Sequence, residues 1–275
     1  MENVHGEYDL VFGIGQACTC SQTLRKAGLQ LSSFPMDWAN DADPVHNCEI
    51  VASHFDHWLD KDDFVYVKHN PVNGLGIFRN KRTNFMHPHD FADGPIEQSY
   101  DAVAAKYRRR IERLLQLIGA ARRVLAVCIV RPAMPRVSVD DMSKCRAILS
   151  SAFPGVSFDV LFFNFAADTA LENRKVSSPA EGVTMIEFDY RDPVHDVSVP
   201  QTSEAVSALN VRARDYRTDA ERKAHVQAER RKKLEKKFKR YGVHSRLGLF
   251  FAKLKALFAH DKDGVPRDTR APDMP

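Results

Sequence analysis

The residues of greatest chemical reach stand near the start of the chain, in Gly13-Ile14-Gly15-Gln16-Ala17-Cys18. The preceding run Tyr8–Ile14 (YDLVFGI) has strand composition, and Cys20–Leu29 has helical spacing. The pattern predicts a strand, a tight turn and a helix, with Cys18 at the turn. Amide groups and the dipole at a helix start stabilise negative charge. A thiol there is expected to have a lowered pKa and to act as a nucleophile. The same amides, with Gln16, are expected to hold an oxyanion. The plainer reading makes Cys18 a small residue packed at a turn. Cys20 is a neighbour or resolving thiol, while Cys128 and Cys145 read as core.

A thiol nucleophile needs a base, and a base needs a group that orients it. The element Phe85-Met86-His87-Pro88-His89-Asp90-Phe91 supplies two histidines and an acid. His89 or His87 is the candidate base, and Asp90 or Asp37 the candidate orienting acid. Read plainly, the element is a surface loop. Asp37, within Phe34-Pro35-Met36-Asp37-Trp38, also reads as a turn cap beside packed rings. Cys18, Cys20, Cys48, His54, His57, His87 and His89 include Cys-x-Cys, His-x-x-His and His-x-His spacings, yet none fits a familiar zinc pattern. No metal and no cofactor is expected.

These side chains need a scaffold. Ser99–Ile118 carries one apolar stripe and reads as a helix. Arg123–Val130, Phe158–Phe165 and Val183–Phe188 are continuous apolar runs, as in strands buried on both faces. Pro44–Phe55 and Val139–Ala152 read as helices, Phe64–Lys68 as a strand, Gly74–Phe85 as a hairpin around Asn80–Lys81, and Ser203–Arg214 as a short helix. The alternation predicts a three-layer α/β fold: a mostly parallel sheet flanked by helices, with a basic helical C-terminal extension. The expected divisions are an α/β domain over 1–200, a helical extension over 201–260 and a disordered tail over 261–275.

Composition excludes several classes. Hydrophobic residues at 44% and charged residues at 28% are ordinary for a globular chain. No run reaches the length of a spanning helix, no secretory leader is visible, and five cysteines do not make a disulfide framework. A cytoplasmic location is expected. Arg217–Lys255 holds fourteen basic and four acidic residues, a net +10; the rest of the chain therefore carries −6 of the total +4. Asp219–Arg240 is a charged helix by pattern, and Val243–Ala259 an amphipathic one. A basic cluster beside an apolar face points to an anionic membrane surface through residues 217–259. No motif that reads nucleic acid accompanies the charge.

The order YDLVFGIGQACTCSQTLRKAGL, SSFPMDWA, FMHPHDF, then KYRRRIERLLQLI and RRVLAVCIV resembles a bacterial family of domains of unknown function described as papain-like cysteine peptidases. The resemblance runs from about Tyr8 to Phe188. It implies that Cys18 is the family cysteine, that Asp37-Trp38 is its Asp-Trp element, and that His89 or His87 is its histidine. It implies a thiol hydrolase or acyl transferase, with a place in surface-polysaccharide assembly. The alternation after Arg122 suits a layered sheet rather than papain's helical lobe and barrel. Two other functions stay open: a non-catalytic scaffold at the cytoplasmic membrane face, and a sugar-nucleotide-dependent transferase. For the latter, Gly13-x-Gly15 is only part of a glycine fingerprint.

Overall fold

The structure is a computed structural model, and it describes residues 4–38 and 43–241. In chain order its elements are β1 (Gly6–Tyr8), β2 (Leu10–Gly13), α1 (Cys18–Lys26), α2 (Pro44–Ala52), β3 (Phe64–Asn70), β4 (Leu75–Asn80), β5 (Met86–Ala92), α3 (Tyr100–Ala120), β6 (Arg123–Ile129), α4 (Val139–Ala152), β7 (Ser157–Phe165), β8 (Lys175–Ala180), β9 (Val183–Phe188), α5 (Val199–Ser207), β10 (Val211–Ala213) and α6 (Asp219–Tyr241). Met1–Tyr216 forms one compact unit and Arg217–Pro275 a second. The expected boundary at Pro200 thus falls inside the first unit, because α5 packs on α1 and β10 pairs with β1.

The central sheet has the order β2-β6-β7-β9-β8. The pairings β2–β6, β6–β7 and β7–β9 are parallel, and β8 closes the edge antiparallel to β9. β6 is buried along nearly its whole length, which is why its sequence is an unbroken apolar run. Strand side chains alternate between faces, and the core divides accordingly. Leu10, Phe12, Val124, Ala126 and Phe162 join α2, α3 and α4 on one face. Val11, Leu125, Val127, Ile129 and Phe163 join α1 and α5 on the other. This is the α/β layering expected of the alternation.

Local chemistry sets the ends. Asp43 caps α2, accepting from the Val45 and His46 amides at 2.9 and 3.3 Å, and Pro44 opens the first turn. Ser138 caps α4 by accepting from the Asp141 amide. The Asp9 carboxylate accepts from the Arg122 and Arg123 amides at 2.9 and 3.1 Å, and the expected strand Tyr8–Ile14 splits into β1 and β2 at this residue.

Two elements differ from expectation. Residues 86–91 belong to strand β5, not to a surface loop, and with β3 and β4 this strand makes an antiparallel sheet inserted between α2 and α3. The helix expected over Ser203–Arg214 starts earlier, with Pro200 in its first turn, and ends before the left-handed Asn210 (φ 54°). In the second unit α6 opens with a capping box: Thr218 Oγ1 accepts from the Glu221 amide, and Glu221 accepts from the Thr218 amide. No helix among the described residues is long and apolar enough to cross a membrane. Val243–Ala259 and the tail lie outside the described residues.

Candidate functional site

β2 and β6 are neighbours, but the helices that follow them leave toward opposite faces: α1 after β2, α4 after β6. The loops that follow them lie at the strands' carboxyl ends, the usual ligand position in open α/β sheets. A cavity of about 580 Å³ beside them is walled by Gln16, Pro44, Val45, Met134 and Val137. A larger one of about 1200 Å³ follows the ends of β6, β7 and β9.

Cys18 is the first residue of α1, after Ala17 in extended conformation. Of the five free thiols it alone is half-buried; the other four are buried. Burial pushes its thiol above the ordinary value, against the amides of Cys18 and Thr19 and the charge of Arg131. The lowered pKa expected from the helix start is therefore not found: desolvation outweighs the N–H groups. No imidazole hydrogen-bonds to this sulfur among the described residues. Cys20 points inward, donating to the Val127 carbonyl, with its thiol pushed up to about 12 by burial. That position removes it as a resolving thiol.

The two glycines serve packing. A Cβ on Gly15 would stand 2.9 Å from the Cys128 sulfur, and one on Gly13 3.0 Å from the Cys20 sulfur. Their bare backbones are filled by the protein's own side chains, so they form no phosphate cradle. Asn47, on α2, donates to the Ile14 carbonyl at 2.7 Å and fixes this corner. Gln16 is buried, and its side-chain carbonyl accepts from the Arg131 amide at 2.8 Å, tying the loops after β2 and β6 together.

Asp37 does not orient a histidine. Its buried Oδ2 accepts from Arg25 Nη2 at 2.8 Å, Gln30 Nε2 at 2.7 Å and the Phe34 amide at 2.9 Å. Burial raises its pKa despite these donors. The carboxylate anchors the 3-10 turn Pro35–Trp38 to α1, and Ser21 donates to the Asp37 carbonyl.

The two histidines lie in different environments. Opposite β4, Gly76 pairs with Phe91 and Phe78 with His87, so three residues of β5 face one of β4. This bulge at Pro88-His89-Asp90 breaks the alternation that would put His87 and His89 on one face. His87 is enclosed by Trp58, Phe64, Phe91 and Tyr107, with ring centroids 5.3–6.0 Å away. Its Nδ1 lies 3.5 Å from Asp90, and such an imidazole cannot meet a surface thiol. Asp90 accepts from the Tyr107 hydroxyl at 2.6 Å and pairs with Lys106, so it serves α3 and not His89. Burial opposes its charge, yet the His87 hydrogen bond and the Lys106 charge hold the carboxyl well below the usual range. His89 is exposed, and its ring meets the edge of Trp38 at 5.9 Å; Trp38 in turn lies 5.8 Å from the Arg25 guanidinium on α1. Asn73 Nδ2 donates to His89 Nδ1 at 3.2 Å, which leaves the proton of the neutral ring on Nε2.

The residues with metal-ligand spacings do not converge. Among the described residues one group has ligand atoms near one another, His57, Asp60 and Asp63, and Asp63 already accepts from Arg82 at 2.9 Å. Arg131, Asn47 and Asn73 escaped the sequence reading. Arg131 alone left a trace there, as a basic residue directly beyond a buried strand.

Two outcomes follow from this geometry. Gly15→Ala should lower stability by about 1–3 kcal/mol, the usual cost of overpacking. Gly119→Ala on α3, where a Cβ meets nothing, should raise it by roughly 0.5–1 kcal/mol; chemical denaturation measures both. Asp90's depressed pKa gives stability that is present above the ordinary carboxylate range and lost as pH falls toward the folded value. Asp90→Asn should therefore be less stable at neutral pH and lose less on acidification, read from unfolding midpoints across pH.

The family whose model matches the chain is described as "Putative papain-like cysteine peptidase (DUF1796)", over residues 9–168. No curated protein and no solved structure matches it. The matched span runs from the start of β2 past the end of β7 and takes in the Cys18 corner, both histidines and Arg131. With more than half of its length matched, the chain belongs to the DUF1796 family.

Proposed function

We propose that the protein is a thiol-dependent hydrolase or acyl transferase with Cys18 as its nucleophile. One observation carries this reading. Of five cysteines, only Cys18 reaches the surface, and it does so on the first helical turn after β2. In the reaction the thiolate attacks an acyl carbon, and the amides of Cys18 and Thr19 donate hydrogen bonds to the developing oxyanion. The leaving group departs with a proton, a thioester remains, and water or another acceptor releases it. His89 is the base: its Nδ1 gives up the Asn73 hydrogen bond to take the Cys18 proton, and the resulting imidazolium returns a proton from Nε2 to the leaving group. Gln16, Asp37 and Asp90 are assigned supporting roles, through the hydrogen bonds they already make.

A second reading, a non-catalytic binding protein, is favoured by the raised thiol and by the lack of a bonded imidazole. An acyl-transfer assay separates the two. Native protein mixed with p-nitrophenyl acetate should release nitrophenolate and gain one acetyl group on Cys18 by mass. Cys18→Ser should abolish that adduct, and His89→Ala should slow its formation. An identical adduct level in wild type and Cys18→Ser favours the binding protein.

For the second unit we propose binding to an anionic bilayer surface. α6 has ten basic and four acidic residues, a net +6. Arg222, Arg230, Lys233 and Lys237 share one side of the helix, while Leu234 and Phe238 lie one turn apart on another, and the four basic side chains are exposed. Each basic residue near such a surface contributes about 1 kcal/mol. The full chain should float with vesicles containing phosphatidylglycerol and not with pure phosphatidylcholine. The triple variant Arg230→Gln, Lys233→Gln, Lys237→Gln should float less. Equal flotation would remove α6 as the anchor, and retention of the wild type on duplex DNA alone would favour nucleic acid.

A further inference from the structure

We infer that the Cys18 site takes a substrate with a carboxylate beside the carbon attacked, and that Arg131 receives that carboxylate. This rests on Cys18 being the nucleophile. Arg131 directly follows the apolar run of β6, at the carboxyl edge of the sheet. Two bonds hold it in place. Its amide donates to the Gln16 side chain at 2.8 Å, two residues before Cys18, and its Nε donates to Asp196 at 2.7 Å. Its two terminal Nη groups have no partner among the described residues, and the side chain is 43% exposed. A guanidinium fixed through Nε and open at both Nη atoms keeps part of its donor fork for a carboxylate.

Arg131 also has links to both the thiol and a space able to hold the rest of a substrate. Its charge acts on Cys18. Its partner Asp196 belongs to the wall of the 1200 Å³ cavity, which begins at Pro132 and Ala133. Three of the four acids of that wall are already used by the chain: Asp189 pairs with Arg191, Asp192 accepts from the Val194 and His195 amides, and Asp196 holds Arg131, while Glu172 lies in the wall as well. Gln201, in the same wall at the start of α5, has a buried side-chain oxygen with no partner. The cavity thus offers an amide group, the Glu172 carboxylate and apolar surface, and Arg131 joins it through Asp196.

Iodoacetate and iodoacetamide test this directly. Both place an electrophilic carbon on the sulfur with loss of iodide, and only the first carries a carboxylate beside that carbon. The readout is the ratio of their rates at Cys18, located by peptide mass. Arg131→Gln should lower the iodoacetate-to-iodoacetamide ratio about fivefold, the equivalent of one charge pair near 4 Å in water. Arg131→Lys should restore most of it, and Asp196→Asn, which frees the guanidinium, should raise it. A ratio unchanged in Arg131→Gln and in Asp196→Asn, with iodoacetamide still labelling Cys18, overturns the assignment and leaves the nucleophile intact. Failure of iodoacetamide to label Cys18 in the wild type overturns both.

Discussion

The site depends on one constraint of chain geometry. Two neighbouring parallel strands send their following helices to opposite faces of the sheet, so their carboxyl ends cannot be covered by a common layer. Gln16 ties the two loops together through the Arg131 amide, and Asn47 on α2 holds the Ile14 carbonyl. The glycines at positions 13 and 15 let β2 run close to the buried sulfurs of Cys20 and Cys128, which sets where α1 begins. Cys18 reaches the surface at the first residue of α1, directly after this tight turn.

The same packing explains the resting state of the thiol. A helix start and a nearby guanidinium favour a thiolate, yet the Cys18 thiol is raised because the corner is desolvated. His87 lies in an aromatic enclosure, and Asp90 is engaged by Lys106 and Tyr107. Two side chains with the chemistry of a relay are thereby given to the core. The exposed imidazole is the one that a bulge turns outward, and it borders the Asp37-Trp38 turn rather than the thiol itself.

Much of the architecture was legible in the sequence. Unbroken apolar runs such as Arg123–Ile129 mark strands covered on both faces, and Asp43-Pro44 marks a helix start. The strand–turn–helix corner with Cys18 was legible for the same local reason. β5 was not, because Pro88 and two histidines read as a loop, and the bulge that accommodates them is set by pairing with β4, far from any local pattern. The separation of His87 from His89 follows from that bulge. The tasks of Asp37 and Asp90 depend on donors from Arg25, Gln30, Lys106 and Tyr107, whose approach is tertiary. Arg131 lacked a motif, and only the crossing of the two loops gives it a role.

Thiol counting with a bulky aromatic disulfide reagent addresses the Cys18 site most directly. One fast-reacting thiol is expected per native chain, none in Cys18→Ser, and all five in denatured wild type. A native chain with no fast thiol, or one whose fast thiol survives Cys18→Ser, would contradict this.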